Sequence, residues 1–166
     1  MKDKTILLVE DNPDDEELTR RAFRAANISN QLAVARDGAE ALDYLFGMGT
    51  HSARDLTAMP TLVLLDLNLP KVDGFEVLSR ERADPRTERL PVIILTTSRD
   101  QEEVIKVYDR CCNGYVRKPV ESAQLREVVS QLGLFWLLHN VPLLNLYDLV
   151  SAGQHLPVYS HLEPHD

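Results

Sequence analysis

The chain has 166 residues, which fits one domain with an extension and leaves no room for two ordinary ones. Its 26 Asp and Glu against 18 Lys and Arg give a net charge of -8, which argues against nucleic acid as the main partner, and 44% hydrophobic with 27% charged residues excludes a disordered chain. Two adjacent cysteines, Cys111 and Cys112, neither staple a loop nor show the spacing of a zinc or redox pair, so a reducing, cytoplasmic setting is expected.

The first apolar run, Thr5–Val9, is too short for a signal peptide and ends in an acidic pair, so it reads as a strand. Residues 14–26 follow with helical periodicity, Leu18, Arg21, Ala22 and Ala25 falling on one face. Further strand-length runs occur at 32–35, 61–65, 92–95 and 114–116. Helical segments separate them, including Gly38–Phe46 and 104–111, the latter with Val104, Val107, Tyr108 and Cys111 on one side. Leu62-Val63-Leu64-Leu65 and Val92-Ile93-Ile94-Leu95 are apolar throughout, as strands buried on both faces must be, whereas Gln31-Leu32-Ala33-Val34-Ala35-Arg36 suits an edge. Five alternations of strand and helix predict an α/β, doubly wound domain: a five-stranded parallel sheet with helices on both faces.

Residues 47–60, rich in Gly, Thr, His and Ser, read as a long surface loop. A last helix is predicted from an N-cap at Ser122 to about Asn140, with Leu125, Val128, Val129, Leu132, Phe135, Trp136 and His139 at spacings of three and four. Residues 143–150 can form another short helix, and a Gly, Pro and His-containing tail follows. The longest apolar runs, Leu62–Leu65 and 134–138, fall far below the roughly 20 residues of a membrane helix, so no membrane association is expected.

Open parallel sheets bind ligands at the carboxyl ends of their strands, and the residues there are distinctive. Strand one ends in Glu10-Asp11, strand three in Asp66, strand four in Thr96, and strand five is followed by Lys118-Pro119. One such Asp alone is most often a turn or cap residue, but five polar groups after four strands of one sheet share an edge. Three carboxylates converging there repel each other, and a hard divalent cation such as Mg²⁺ is the natural way to hold them. A lysine and a hydroxyl beside them suit a transferring phosphoryl group.

Three stretches carry a resemblance: Ile6-Leu7-Leu8-Val9-Glu10-Asp11-Asn12, Asp66-Leu67-Asn68-Leu69-Pro70-Lys71-Val72-Asp73-Gly74 and Tyr115-Val116-Arg117-Lys118-Pro119. They resemble the motifs of the receiver domain of two-component response regulators, and the match covers about residues 4–131. By that resemblance the sheet is flavodoxin-like and CheY-like, in order 2-1-3-4-5, residues 1–131 form the receiver, and 132–166 form a helix extension and tail without a separate output domain. The resemblance implies that Asp66 is the phosphoacceptor for a partner histidine kinase, in a reaction dependent on Mg²⁺ or Mn²⁺. Asp11 and Asp66 would hold the metal through side chains, Asn68 through its backbone carbonyl and Glu10 through a coordinated water. Glu10 departs from the commoner Asp, which lengthens that arm by one methylene. Lys118 would pair with the carboxylate and then with a phosphoryl oxygen, Thr96 would bind another, and Tyr115 would change rotamer with the threonine. The Lys118-Pro119 bond is usually cis in such proteins, and Thr97 stands where a smaller residue is frequent, so its bulk would hinder the passage of water. Catalysis is expected only of the chain's own phosphotransfer and autodephosphorylation.

The stretch beyond Gln131 is too short for a DNA-binding output domain and has no Lys or Arg cluster. Its Leu134-Phe135-Trp136-Leu137-Leu138 segment is apolar all round, which points to a partner surface, with Phe135, Trp136 and Leu138 as its candidates and a homodimer as the expected result. Residues 135–142 and the 47–60 loop are similar to the small regulators partnered with bacterial phytochrome histidine kinases. A covalent phosphatase would need a general-acid Asp where Asn68 stands, and the acidic turn after strand one would repel a nucleotide phosphate. A dimeric adaptor that works without phosphorylation is the remaining alternative.

Overall fold

A computed structural model describes residues 5–119 and 121–139, with side chains up to Leu137. The proposed short helix at 143–150, the tail and the Leu138 side chain lie outside the described residues. The elements run β1 (Thr5–Val9), α1 (Pro13–Ala25), β2 (Gln31–Ala35), α2 (Gly38–Phe46), β3 (Leu62–Leu65), α3 (Gly74–Ala83), β4 (Val92–Thr96), α4 (Gln101–Asp109), β5 (Gly114–Arg117) and α5 (Ser122–Gly133). Every strand pair is parallel and the order is β2-β1-β3-β4-β5, as expected, with the half-buried β2 on one edge.

The pleat divides the core into two layers. Leu7, Val9, Val63, Leu65 and Ile94 point to one face, where Leu42, Leu45, Val77, Leu78 and Val107 of α2, α3 and α4 cover them. Ile6, Leu8, Leu62, Leu64 and Ile93 point to the other, against Phe23 of α1 and Leu125 and Val129 of α5. Successive side chains of a strand face opposite ways, so two covered faces require an unbroken apolar run. Each fully buried Leu or Ile contributes roughly 1.5–3 kcal/mol, and β1 and β3 supply half of the largest ones.

Helix faces differ from the sequence reading. In α1 the buried residues are Thr19, Ala22 and Phe23, while Arg21 and Ala25 are exposed. In α4 only Val107 is buried; Tyr108 is exposed, and Cys111 lies past the helix end with a left-handed φ of 61°. A stripe of small and apolar residues leaves the rotation of a helix open by about one position, and the sheet decides it. Ser122 is the first helical residue and Glu121 the cap, without a side-chain cap bond. After Gly133, where a Cβ would lie 2.4 Å from Ile28 and 2.7 Å from Phe23, the chain continues as wider π-helical turns over Leu134–His139. Leu137 is thereby buried while Phe135 faces outward. The 47–60 loop holds a 3₁₀ turn at Gly49–His51 and is tied by Arg54, which donates to the carbonyls of Tyr44, Leu45 and Ala58 and stacks 4.2 Å from the Tyr44 ring.

Glu81 of α3 is fully buried and neither carboxylate oxygen has a hydrogen-bond partner. Burial pushes its carboxyl from 4.5 up to about 8, the Arg82 charge offsetting only part of this. Between those values the unfolded chain has lost a proton that the folded chain keeps, so stability falls as pH rises through that window. Glu81→Leu is therefore expected to be more stable than the native chain, by a margin about 3 kcal/mol larger at pH 8 than at pH 5 in urea unfolding.

Candidate functional site

The carboxyl ends of β1, β3 and β5 meet around one buried ammonium. After β1 the chain turns so that Glu10 points inward, its Oε1 accepting the Asn12 N–H at 3.1 Å. Asn12 caps α1 by accepting from the Asp14 and Asp15 N–H groups at 2.9 and 3.4 Å, which leaves Asp11 exposed at the rim. At β3 the Asp66 N–H continues the ladder to the Val9 carbonyl at 3.1 Å, and Asp66 Oδ1 accepts the Asn68 N–H at 3.2 Å. Gly74 opens α3 hard against this turn: a Cβ there would lie 2.3 Å from the Asp66 carbonyl oxygen. After β5 the Lys118 N–H donates to the Thr96 carbonyl at 2.7 Å, which aims its side chain back over the sheet edge.

Lys118 Nζ donates to Glu10 Oε2, to Asp66 Oδ2 at 2.9 Å and to Asp15 Oδ2 at 3.1 Å. An ammonium has three donors, and all three are used on carboxylates. The side chains of Lys118 and Glu10 are each only 3% exposed. Burial disfavours the lysine charge, but Asp66 and Glu10 outweigh it and hold the ammonium above its ordinary value. Burial raises Glu10 in turn, and Lys118 lowers it only in part.

Carboxylate oxygens of Glu10, Asp11 and Asp66 lie within 4.8 Å of one another. Lys118 is shared by Glu10, Asp15 and Asp66, and the all-oxygen, anionic set of Glu10, Asp11 and Asp66 suits a hard divalent cation such as Mg²⁺. Asn68 joins the site through its backbone, its side chain being exposed. Thr96 ends β4 fully buried, its Oγ1 accepting the Ser98 N–H at 3.3 Å. Half-buried Tyr115 donates its hydroxyl to the Ser98 carbonyl at 3.2 Å, so threonine and tyrosine meet on one loop residue, and the Ser98 hydroxyl bonds the Glu103 carboxylate of α4. Thr97 is exposed.

Two residues here were not singled out in the sequence. Asp15 is hidden in the run Asp14-Asp15-Glu16-Glu17, which reads as the acidic first turn of a helix and carries no signal that sets one of the four apart. Ser98 acts mainly through its backbone, which no side-chain pattern reveals. The Lys118-Pro119 bond is trans, as is every peptide bond among the described residues, against the cis form implied by resemblance; the isomers differ by only about 1 kcal/mol, and sequence does not choose between them.

Residues 6–130 match the family model of the response regulator receiver domain. The chain belongs to that family. It is 38% identical over 134 residues to Response regulator Rcp1 of Synechocystis sp., covering 81% of this chain and 89% of the relative. The Mn²⁺-bound form of Rcp1 superposes with a TM-score of 0.78 at 37% identity, over 84% of this chain and 98% of that one. The phosphorylated cyanobacterial phytochrome response regulator RcpA gives a TM-score of 0.79 at 37% identity, over 84% of this chain and 98% of that one. The bacteriophytochrome response regulator AtBRR is 44% identical with a TM-score of 0.68, over 85% of this chain and 100% of that one. The receiver is thus of the kind found in phytochrome-linked regulators, and no helix among the described residues is long and apolar enough to cross a membrane.

The charge balance of the receiver site makes metal affinity a direct readout. Asp11→Asn is expected to weaken Mg²⁺ binding about tenfold, and Lys118→Met, which removes the competing cation, to tighten it about tenfold; isothermal titration measures both.

Proposed function

We propose that this receiver takes a phosphoryl group onto Asp66 from a partner histidine kinase of the phytochrome type, and signals as a single-domain regulator through protein contacts. The observation that carries this reading is the Asp66 carboxylate, buried at the sheet edge and held between the Lys118 ammonium and the Glu10–Asp11 pair. The carboxylate has one oxygen on a backbone N–H and the other on the lysine, which orients it for attack on phosphorus. In that step an Asp66 oxygen bonds to phosphorus as the phosphorus–nitrogen bond of the donor phosphohistidine breaks, and the released imidazole keeps the electron pair. Lys118 then neutralises one phosphoryl oxygen and the Thr96 hydroxyl meets another.

Asp11, Asp66, the Asn68 carbonyl and, through a water, Glu10 would hold Mg²⁺ or Mn²⁺, consistent with the Mn²⁺-bound form of Rcp1. Such an ion supplies charge neutralisation for the anionic donor and acceptor. Thr96 and Tyr115 form the switch, linked through Ser98 to Glu103 of α4, so that a shift of the threonine toward phosphate alters the α4 end of the molecule. The phytochrome assignment rests on the names of the similar proteins, RcpA and AtBRR among them. Cytoplasmic residence follows from a kinase partner of that kind.

A homodimer through the end of the last helix completes the proposal. Phe135 is 53% exposed and Leu134 38%, beside Trp136, which is half-buried against the α1–α5 core and stacks edge-on with Phe135 at 5.3 Å. Exposed apolar side chains grouped at a helix end suit a second copy of the same surface.

Incubation with acetyl phosphate and Mg²⁺ should add one phosphoryl mass to the native chain and none to Asp66→Asn or to a chelator-treated sample. No adduct on the native chain would favour the phosphorylation-independent adaptor. Phe135→Glu should lower the sedimentation coefficient to that of a monomer, and Trp136→Glu should do the same at some cost in stability, since Trp136 also packs on the core.

A further inference from the structure

Lys118 has three acceptors, and they differ in what else claims them. Glu10 and Asp66 belong to the carboxylate cluster that suits a divalent ion, with Asp11, whereas Asp15 lies outside that cluster. An ion drawing charge from Glu10 and Asp66 weakens their hold on the ammonium, and phosphorylation of Asp66 consumes an acceptor outright. Lysine carries a compact charge on a flexible four-carbon stem, so without a fixed acceptor it spreads over several positions. Asp15 is such an acceptor. It sits in the first turn of α1, its N–H capped by the Asn12 side chain at 3.4 Å and its carbonyl accepting the hydroxyl of buried Thr19 at 2.8 Å. Its carboxylate is 23% exposed, so it faces the ammonium from the rim while Glu10 and Asp66 face it from within.

We infer that Asp15 is a positioning residue: it keeps the Lys118 ammonium at the phosphoacceptor when a divalent ion and a phosphoryl group claim Glu10 and Asp66. This rests on the phosphoacceptor reading of Asp66 above. Two of the lysine's three donors are then left to the reacting centre, and the third is spent on the first turn of α1. The hold is electrostatic as well as directional, since a carboxylate bonds an ammonium more strongly than an amide does.

The test follows the lysine itself and the reaction separately. In the native chain with saturating Mg²⁺, the Lys118 ammonium should give a protected proton–nitrogen NMR signal, and Asp15→Asn should lose it. The limiting rate of phosphorylation by acetyl phosphate should fall about tenfold in Asp15→Asn, with no rise in the donor concentration needed for half-saturation. Asp15→Glu should recover most of both. Glu17→Gln, which removes an exposed charge paired with Arg21 and Arg24 on the same helix, should alter neither. A native-like ammonium signal in Asp15→Asn overturns the inference whatever happens to the rate, because Asp15 would then not hold the lysine. A native chain that takes no phosphate refutes the phosphoacceptor reading instead, and the ammonium signal still decides the role of Asp15.

Discussion

A buried lysine ammonium holds this site together. Lys118, at the end of the sheet, draws carboxylates from β1, α1 and β3 onto one atom, and without it three acids in a low-dielectric pocket would drive each other apart or take up protons. Its position depends on the backbone bond from Lys118 to the Thr96 carbonyl, which extends the β4–β5 pairing past Arg117 and points the side chain across the sheet toward β1. The site is therefore a consequence of strand order: β1 and β3 must be neighbours for Glu10 and Asp66 to meet, and β4 and β5 must follow them for the lysine to reach.

The rest of the fold serves that alignment. Two apolar layers clamp the sheet, so the strand ends are rigid although the side chains upon them are charged. Gly74 lets α3 begin directly behind Asp66, where any Cβ would collide with the Asp66 carbonyl, and the short turn this permits brings the Asn68 N–H onto the Asp66 carboxylate. On the far side, Thr96 and Tyr115 converge on Ser98, whose hydroxyl reaches Glu103, giving a path of hydrogen bonds from the carboxyl edge of the sheet to α4, on which Ile105 and Tyr108 face solvent. An excess of acid over base at one edge of the sheet suits a metal-dependent phosphoryl acceptor, since the divalent ion supplies the balancing charge. Glu81 shows the contrary case: a fully buried acid whose carboxylate oxygens have no hydrogen-bond partner, which costs stability.

Much of this was legible in the residues alone. The unbroken apolar runs of β3 and β4 named the central strands, and the weaker β2 run named an edge, because burial on two faces and burial on one leave different patterns. Glu10, Asp11, Asp66, Thr96 and Lys118 stood out because each follows a strand, and a parallel sheet gathers all its strand ends at one edge. Helix rotation was less legible: in α1 the apolar and small residues allowed a stripe through Arg21 and Ala25, whereas the residues buried are Thr19, Ala22 and Phe23, the last two packed with the sheet and α5. Beyond Gly133 the turns widen, so a spacing of three and four no longer reports which side chains share a face.

By itself, then, the sequence determined the parallel α/β architecture and the polar residues gathered at its strand ends, because these depend on local pattern and on a chain order with few folded solutions. Only the tertiary structure decided which acids the lysine holds. Asp15 and Lys118 are far apart in the chain and close in space, and nothing in a run of four acids marks which one turns inward until the helix is seated on the sheet. The same holds for Glu81, whose burial is set by how α3 lies and not by its own chemistry, and for Ser98, which acts through backbone atoms that every residue shares.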